Sequence, residues 1–122
     1  MSFEEVEPGL LVVTYRVVDD LAVTRQAPLL ARLEEKRGRV VVVFDVGPAV
    51  RSVPLDVPNF WLGVTSRPEL QLTGMAIVTS SIGVRVAARG FGLANVARRI
   101  STSVETFAHL EAALAWGRTL PG

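Results

Sequence analysis

The sequence predicts an α/β domain with a mixed sheet of four or five strands. An N-terminal hairpin opens the sheet, strands and helices then alternate, and about four helices pack on it. Three observations carry this prediction. Short runs dense in β-branched and aromatic residues recur along the chain, as strands require. Between them lie stretches with apolar residues at helical spacing and a charged opposite face. Glycine and proline fall at the junctions, where turns need them. A length of 122 residues suits one hydrophobic core. No repeat, linker or low-complexity segment divides it, so residues 1–122 read as a single domain.

Leu10–Val17 is strand-like, and Glu7-Pro8-Gly9 before it is a turn signal, so Phe3–Val6 is expected to pair with it as the first hairpin arm. A helix follows from Thr24 or Ala27, which keeps Pro28 in the tolerated first turn. Leu29, Leu30 and Leu33 form its apolar side, and Gly38 stops it. Val40–Val46 carries four consecutive valines and a phenylalanine, a pattern for a strand covered on both faces. Asp56 is placed to cap a helix over Val57–Ser66 with Pro58 in its first turn. Gly74–Ser80 is a second buried strand, after which Ser80-Ser81 can cap a helix carrying Ile82, Val86 and Leu93. Gly90 and Gly92 weaken the second half of that helix. A short strand is expected near Arg99–Ser101. Thr102-Ser103-Val104-Glu105 then matches a capping box, opening a last helix with Phe107, Leu110 and Leu114 on one side and an end near Trp116-Gly117.

Composition narrows the chemistry. The chain is 49% hydrophobic and 20% charged, with a mean hydropathy of +0.37, which is globular rather than disordered. It has no cysteine and one histidine, so thiol catalysis, disulfides, cysteine-ligated zinc and multi-histidine metal sites are excluded. A net charge of +1 argues against wholesale nucleic-acid binding and against a polybasic membrane anchor. Met1–Gly9 is acidic where a secretory signal needs a basic flank and an apolar run, and no apolar stretch is long enough to span a bilayer. The expectation is a cytoplasmic protein without an integral membrane segment. The arginine-, alanine- and valine-heavy usage, with Lys36 as the one lysine, hints at a GC-rich bacterial genome.

No catalytic arrangement stands out. Arg89-Gly90-Phe91-Gly92 contains a Gly-x-Gly, but it lacks the third glycine and follows a helix rather than a strand. There is no Walker A sequence, and no Gly-x-Ser-x-Gly. His109 sits on the last predicted helix, off its apolar stripe. Asp19-Asp20 reads as a turn and cap pair, and Glu34-Glu35 as a wet helix face. No cofactor or metal is expected, and the chain reads as a non-enzyme.

The distribution of charge is more informative than its sum. Residues 1–60 hold nine acids and seven bases, whereas 61–122 hold three acids and six bases. Arg85, Arg89, Arg98 and Arg99 fall within residues 81–100 without a single acid. Arg85 and Arg89, four apart, share a helix face, which makes them a candidate docking patch for an acidic protein surface or anionic ligand. Phe91 alone provides aromatic interleaving there, so nucleic acid is discounted. Phe60-Trp61-Leu62 is bulkier than one core stripe needs. It is either a partner or dimer surface or a cluster buried under a lid.

These strings resemble the STAS family, the domains of anti-sigma-factor antagonists and related bacterial signalling proteins. The resemblance rests on a hairpin-led strand, a helix ending Leu29-Leu30-Ala31-Arg32-Leu33-Glu34-Glu35 and an apolar strand ending Val43-Phe44-Asp45-Val46-Gly47. The turn Val50–Val53 and the stretch Phe107…Glu111–Trp116 belong to it as well. It spans residues 8–117 and is nearest to small stand-alone members. It implies a mixed sheet with packed helices, and function by protein–protein contact. It also implies, in phospho-switch members, a serine at a helix N-terminus after the central strand. Here that stretch is Val53-Pro54-Leu55-Asp56, with no serine, and Ser52 is the only nearby hydroxyl, two to three residues early. The family's phospho-serine switch is therefore not expected, with Ser52 the one candidate acceptor. The expected function is a regulatory interaction module, with a protein partner or a second copy as a homodimer, contacted through Arg51, Ser52, Asp56, Phe60, Trp61, Arg85 and Arg89. A small apolar-ligand or lipid carrier is the alternative.

Overall fold

A computed structural model describes residues 1–120 of the chain. Five strands form one sheet: β1 (Ser2–Glu7), β2 (Leu10–Tyr15), β3 (Val40–Val46), β4 (Leu72–Val78) and β5 (Ser103–Phe107). They lie in the order β1-β2-β3-β4-β5, with β1 antiparallel to β2 and every later pair parallel. Four α-helices alternate with them: α1 (Ala27–Glu35), α2 (Asp56–Thr65), α3 (Ile82–Ala97) and α4 (Leu110–Thr119). The fold is the expected α/β arrangement, hairpin first.

The opening hairpin turns at Pro8-Gly9. Gly9 has φ +79° and donates its N–H to the Glu5 carboxylate at 2.7 Å. A Cβ there would lie 2.6 Å from the Arg39 carbonyl oxygen, so only glycine serves. Alternate residues of each inner strand then feed two cores. Leu11, Val13, Tyr15, Val42, Phe44, Met75 and Ile77 face α1, α2 and α3. Leu10, Val12, Val41, Val43, Ala76 and Val78 face α4. Three crossovers that all advance one strand in the same direction place their helices on a single face, and only the terminal helix is left for the other. Burial of Val40–Phe44 on both faces follows.

Three local expectations are corrected. First, Arg99–Ser101 is not a strand. Arg98 ends α3, Arg99 adopts φ 59°, and the Ile100 N–H donates to the Asn95 carbonyl at 2.9 Å, turning the chain back. Second, Thr102–Glu105 opens no helix, because Ser103–Phe107 is β5, paired with Gly74–Val78. The Thr102 hydroxyl donates across to the Leu72 carbonyl at 2.6 Å instead of capping a helix. Pairing satisfies the outer edge of β4 along its length, which outweighs one local cap. Helix α4 starts only at Leu110, with His109 as its exposed N-cap residue and no side-chain cap bond. Third, Leu55 rather than Asp56 precedes α2, which puts the Asp56 carboxylate in the first turn, where the helix dipole favours it.

Between β2 and α1 the chain makes two 3-10 turns, Val18–Leu21 and Val23–Arg25, organised by buried Asp20. Its carboxylate accepts from the Arg16 N–H at 2.8 Å, the Met1 amino group at 3.0 Å and the Val17 N–H at 3.3 Å. These donors, Arg16 foremost, hold its pKa down to about 2. Glu5 is likewise held down to about 2, chiefly by Lys36 and then by the Gly9 N–H. A carboxylate whose pKa is depressed by folding stabilises the fold above its unfolded value and ceases to as pH falls through its folded value. Urea midpoints are therefore expected to stay level from neutrality to about pH 5 and to fall between pH 4 and 2. Asp20→Asn should lower the neutral midpoint and flatten the acid decline. An acid decline unchanged in that variant would show that Asp20 does not drive it.

Candidate functional site

Helix α3 is apolar on two opposite sides. Ser81 caps it, its hydroxyl oxygen accepting from the Val84 N–H at 3.3 Å while the hydroxyl proton lies toward the Arg51 carbonyl at 3.1 Å. Val84, Ala88, Phe91 and Asn95, spaced four, three and four apart, turn inward and are buried. The residues expected to define the helix, Ile82, Val86 and Leu93, point the other way, 75%, 63% and 71% exposed, and Val96 joins them at 73%. One core-facing stripe is enough to hold a surface helix, so this second stripe is surplus to the fold. The helix also runs unbroken through Gly90 and Gly92. A Cβ at Gly92 would sit 3.4 Å from Val104 of β5, so the close helix–strand approach offsets its weak propensity.

Arg85 and Arg89 lie on this outer side, Arg89 exposed and Arg85 half-buried, with Arg98 and Arg99 exposed at the C-terminal end. From Leu70 to Val104 the sequence has no acid. Among the described residues, none of these four arginines enters an ion pair; Arg16, Arg37, Arg39 and Arg51 form none either, but they are spread over other parts of the chain, whereas these four are clustered on and beside one helix. The positive face is thus left unneutralised by the fold itself.

The loop 47–55 carries the other expected contacts to the same edge. The Gly47 N–H donates to the Tyr15 carbonyl at 2.7 Å and Val50 is fully buried, which pins the loop's start. Arg51, Ser52 and Asp56 are exposed, and Leu55 is 84% exposed. Ser52 lies four residues before α2 rather than at its N-terminus, away from the helix N–H groups that would receive a phosphate. The Arg51 carbonyl contact with Ser81 joins this loop to the start of α3.

The aromatic cluster divides. Trp61 is 5% exposed, edge-on to Phe44 at 5.1 Å and to Phe60 at 5.2 Å between centroids. It packs in the core rather than on the exposed surface. Phe60 and Leu62 remain half-buried. Beneath α2 and α3, Tyr15, Phe44, Val53, Trp61, Met75 and Phe91 line an apolar cleft of about 80 Å³. At the far end of the α2–α3 seam, buried Asn95 accepts from the Thr65 hydroxyl at 3.1 Å and its amide nitrogen has no protein partner.

The outer α3 stripe was legible only in part. The spacing of Ile82, Val86 and Leu93 marks an apolar face, but Val84, Ala88 and Phe91 mark another, and sequence alone does not say which one the sheet takes. No helix among the described residues is long and apolar enough to cross a membrane. No protein-family model matches the chain, and no curated protein or solved structure is significantly similar to it.

Proposed function

We propose that this protein is a non-enzymatic regulatory interaction module of STAS type, working in the bacterial cytoplasm by binding another protein and without a phospho-serine switch. The observation that carries this reading is the second apolar face of α3, with unpaired Arg89 within it and unpaired Arg85 at its margin. An exposed aliphatic row of this kind lowers solubility unless something covers it. The placement of Ser52 outside the first turn of α2 supports contact without phosphorylation there. The apolar cleft favours the carrier alternative, but at about 80 Å³ it falls well short of the roughly 300–1,000 Å³ of ordinary ligand sites.

The test is native mass spectrometry of tagged protein purified from its own host, with and without phosphatase, beside a Val86→Asp/Leu93→Asp variant. Both positions are exposed, so the variant should melt within a few degrees of the parent. The expected result is one protein partner at fixed stoichiometry, insensitive to phosphatase and lost in the variant. A retained small molecule with no protein would replace the module with the carrier.

A further inference from the structure

The outer face of α3 also constrains what can sit on it, if the interaction-module reading holds. At 100° per residue, Ile82, Val86, Leu93 and Val96 fall within an arc of about 80°. Arg89 lies among them and Arg85 at the margin, on the side of Gly92, which faces β5. The row extends over the four and a half turns of a 16-residue helix. Its length matches the apolar seam of a second helix laid along it. Three of the four side chains are β-branched and so lose little rotamer freedom when packed against.

A second copy of this chain fits the charges poorly. The midpoint of Ile82–Ala97 falls between Arg89 and Gly90, so an antiparallel pair of α3 helices would set Arg89 beside its own counterpart. A parallel pair would set Arg85 and Arg89 beside theirs. With no acid between residues 70 and 104, neither arrangement can neutralise them. A bilayer would take the arginines, but an interfacial helix keeps its cations on the face away from its apolar stripe, whereas Arg89 lies within this row.

We infer that the occupant is an amphipathic helix of a partner protein, with an aliphatic seam for Ile82, Val86, Leu93 and Val96 and, bordering that seam, carboxylates within reach of Arg89 inside the row and Arg85 at its margin. Arg98 and Arg99 extend the attraction beyond the end of α3, raising the association rate at low salt.

Two synthetic helical peptides test this directly. They share one leucine seam, and one carries Glu while the other carries Lys at every flanking position. By fluorescence anisotropy the Glu peptide is expected to bind the full chain about tenfold or more tighter than the Lys peptide, with the preference shrinking as salt rises. Arg85→Glu/Arg89→Glu should invert the preference with an unchanged melting temperature. Val86→Asp/Leu93→Asp should abolish binding of both. Equal affinity for the two peptides, no binding of either, or an unaltered preference in the arginine variant would each overturn the inference. So would a dimer in sedimentation velocity that Leu93→Asp disperses, or α3-dependent binding to phosphatidylserine vesicles in place of the Glu peptide. A native partner captured as above, together with equal peptide affinities, would leave the module reading standing and remove only the acidic helix.

Discussion

Trp61→Ala is expected to lower stability by about 3–5 kcal/mol. Trp61 is buried, holds Phe44 and Phe60 edge-on, and borders the cleft beneath α2 and α3. Removing the indole merges its volume with a space that is already empty. The surrounding wall is built of strands on one side and two helices on the other, so it cannot collapse inward freely. A chemical-denaturation series at neutral pH measures the loss. Free indole added to the variant should restore part of the melting temperature, because the vacated site is apolar and has the shape of what was removed. A loss under about 1 kcal/mol would show that α2 settles onto the sheet and closes the gap.

Gly83→Ala should cost up to about 3 kcal/mol even though alanine is the better helix former. A Cβ at this position would stand 2.4 Å from the Arg51 carbonyl oxygen, a backbone atom that cannot rotate aside. Either the 47–55 loop lifts away, breaking the Ser81–Arg51 contact, or the first turn of α3 shifts. Both moves shift the start of α3 relative to the loop and disturb the docking face. Gly90→Ala is the matched control, since a Cβ there meets nothing within 4 Å. It should stabilise by about 0.5–1 kcal/mol through helix propensity alone. Thermal melts of the two variants should therefore move in opposite directions. A stabilised Gly83→Ala would mean that the loop yields at no cost and does not position α3.

The contrast between β3 and β5 explains how far the sequence could be read. Four valines in a row cannot be a half-exposed helix, so β3 and its two-sided burial were evident from composition. Strand β5 has a burial pattern with every residue at least partly accessible, and its Thr-x-x-Glu start imitates a helix cap. What makes it a strand is the open edge of β4, a partner some thirty residues earlier, and local patterning does not register that. The site divides along the same line. Arg85 and Arg89 were identifiable because a charge row four residues apart is a local feature. That Trp61 is core while Val86 and Leu93 are surface depends on which side of each helix the sheet occupies, a tertiary fact.

The placement of α4 bears on how the chain assembles as it is made. Every strand pairs with its neighbour in sequence, so a growing chain can add β2, β3, β4 and β5 one after another as each is released. The last helix reaches back furthest: the Arg39 guanidinium donates to the Gly117 carbonyl at 2.9 Å, and Arg118 pairs with Glu7 at 2.7 Å. Until residues 110–119 emerge, Leu10, Val12, Val41 and Val43 stand bare on one side of a sheet that is otherwise complete. Protection of that side therefore waits for residues 110–119, which close over it as a clasp on a sheet already paired from β1 to β5.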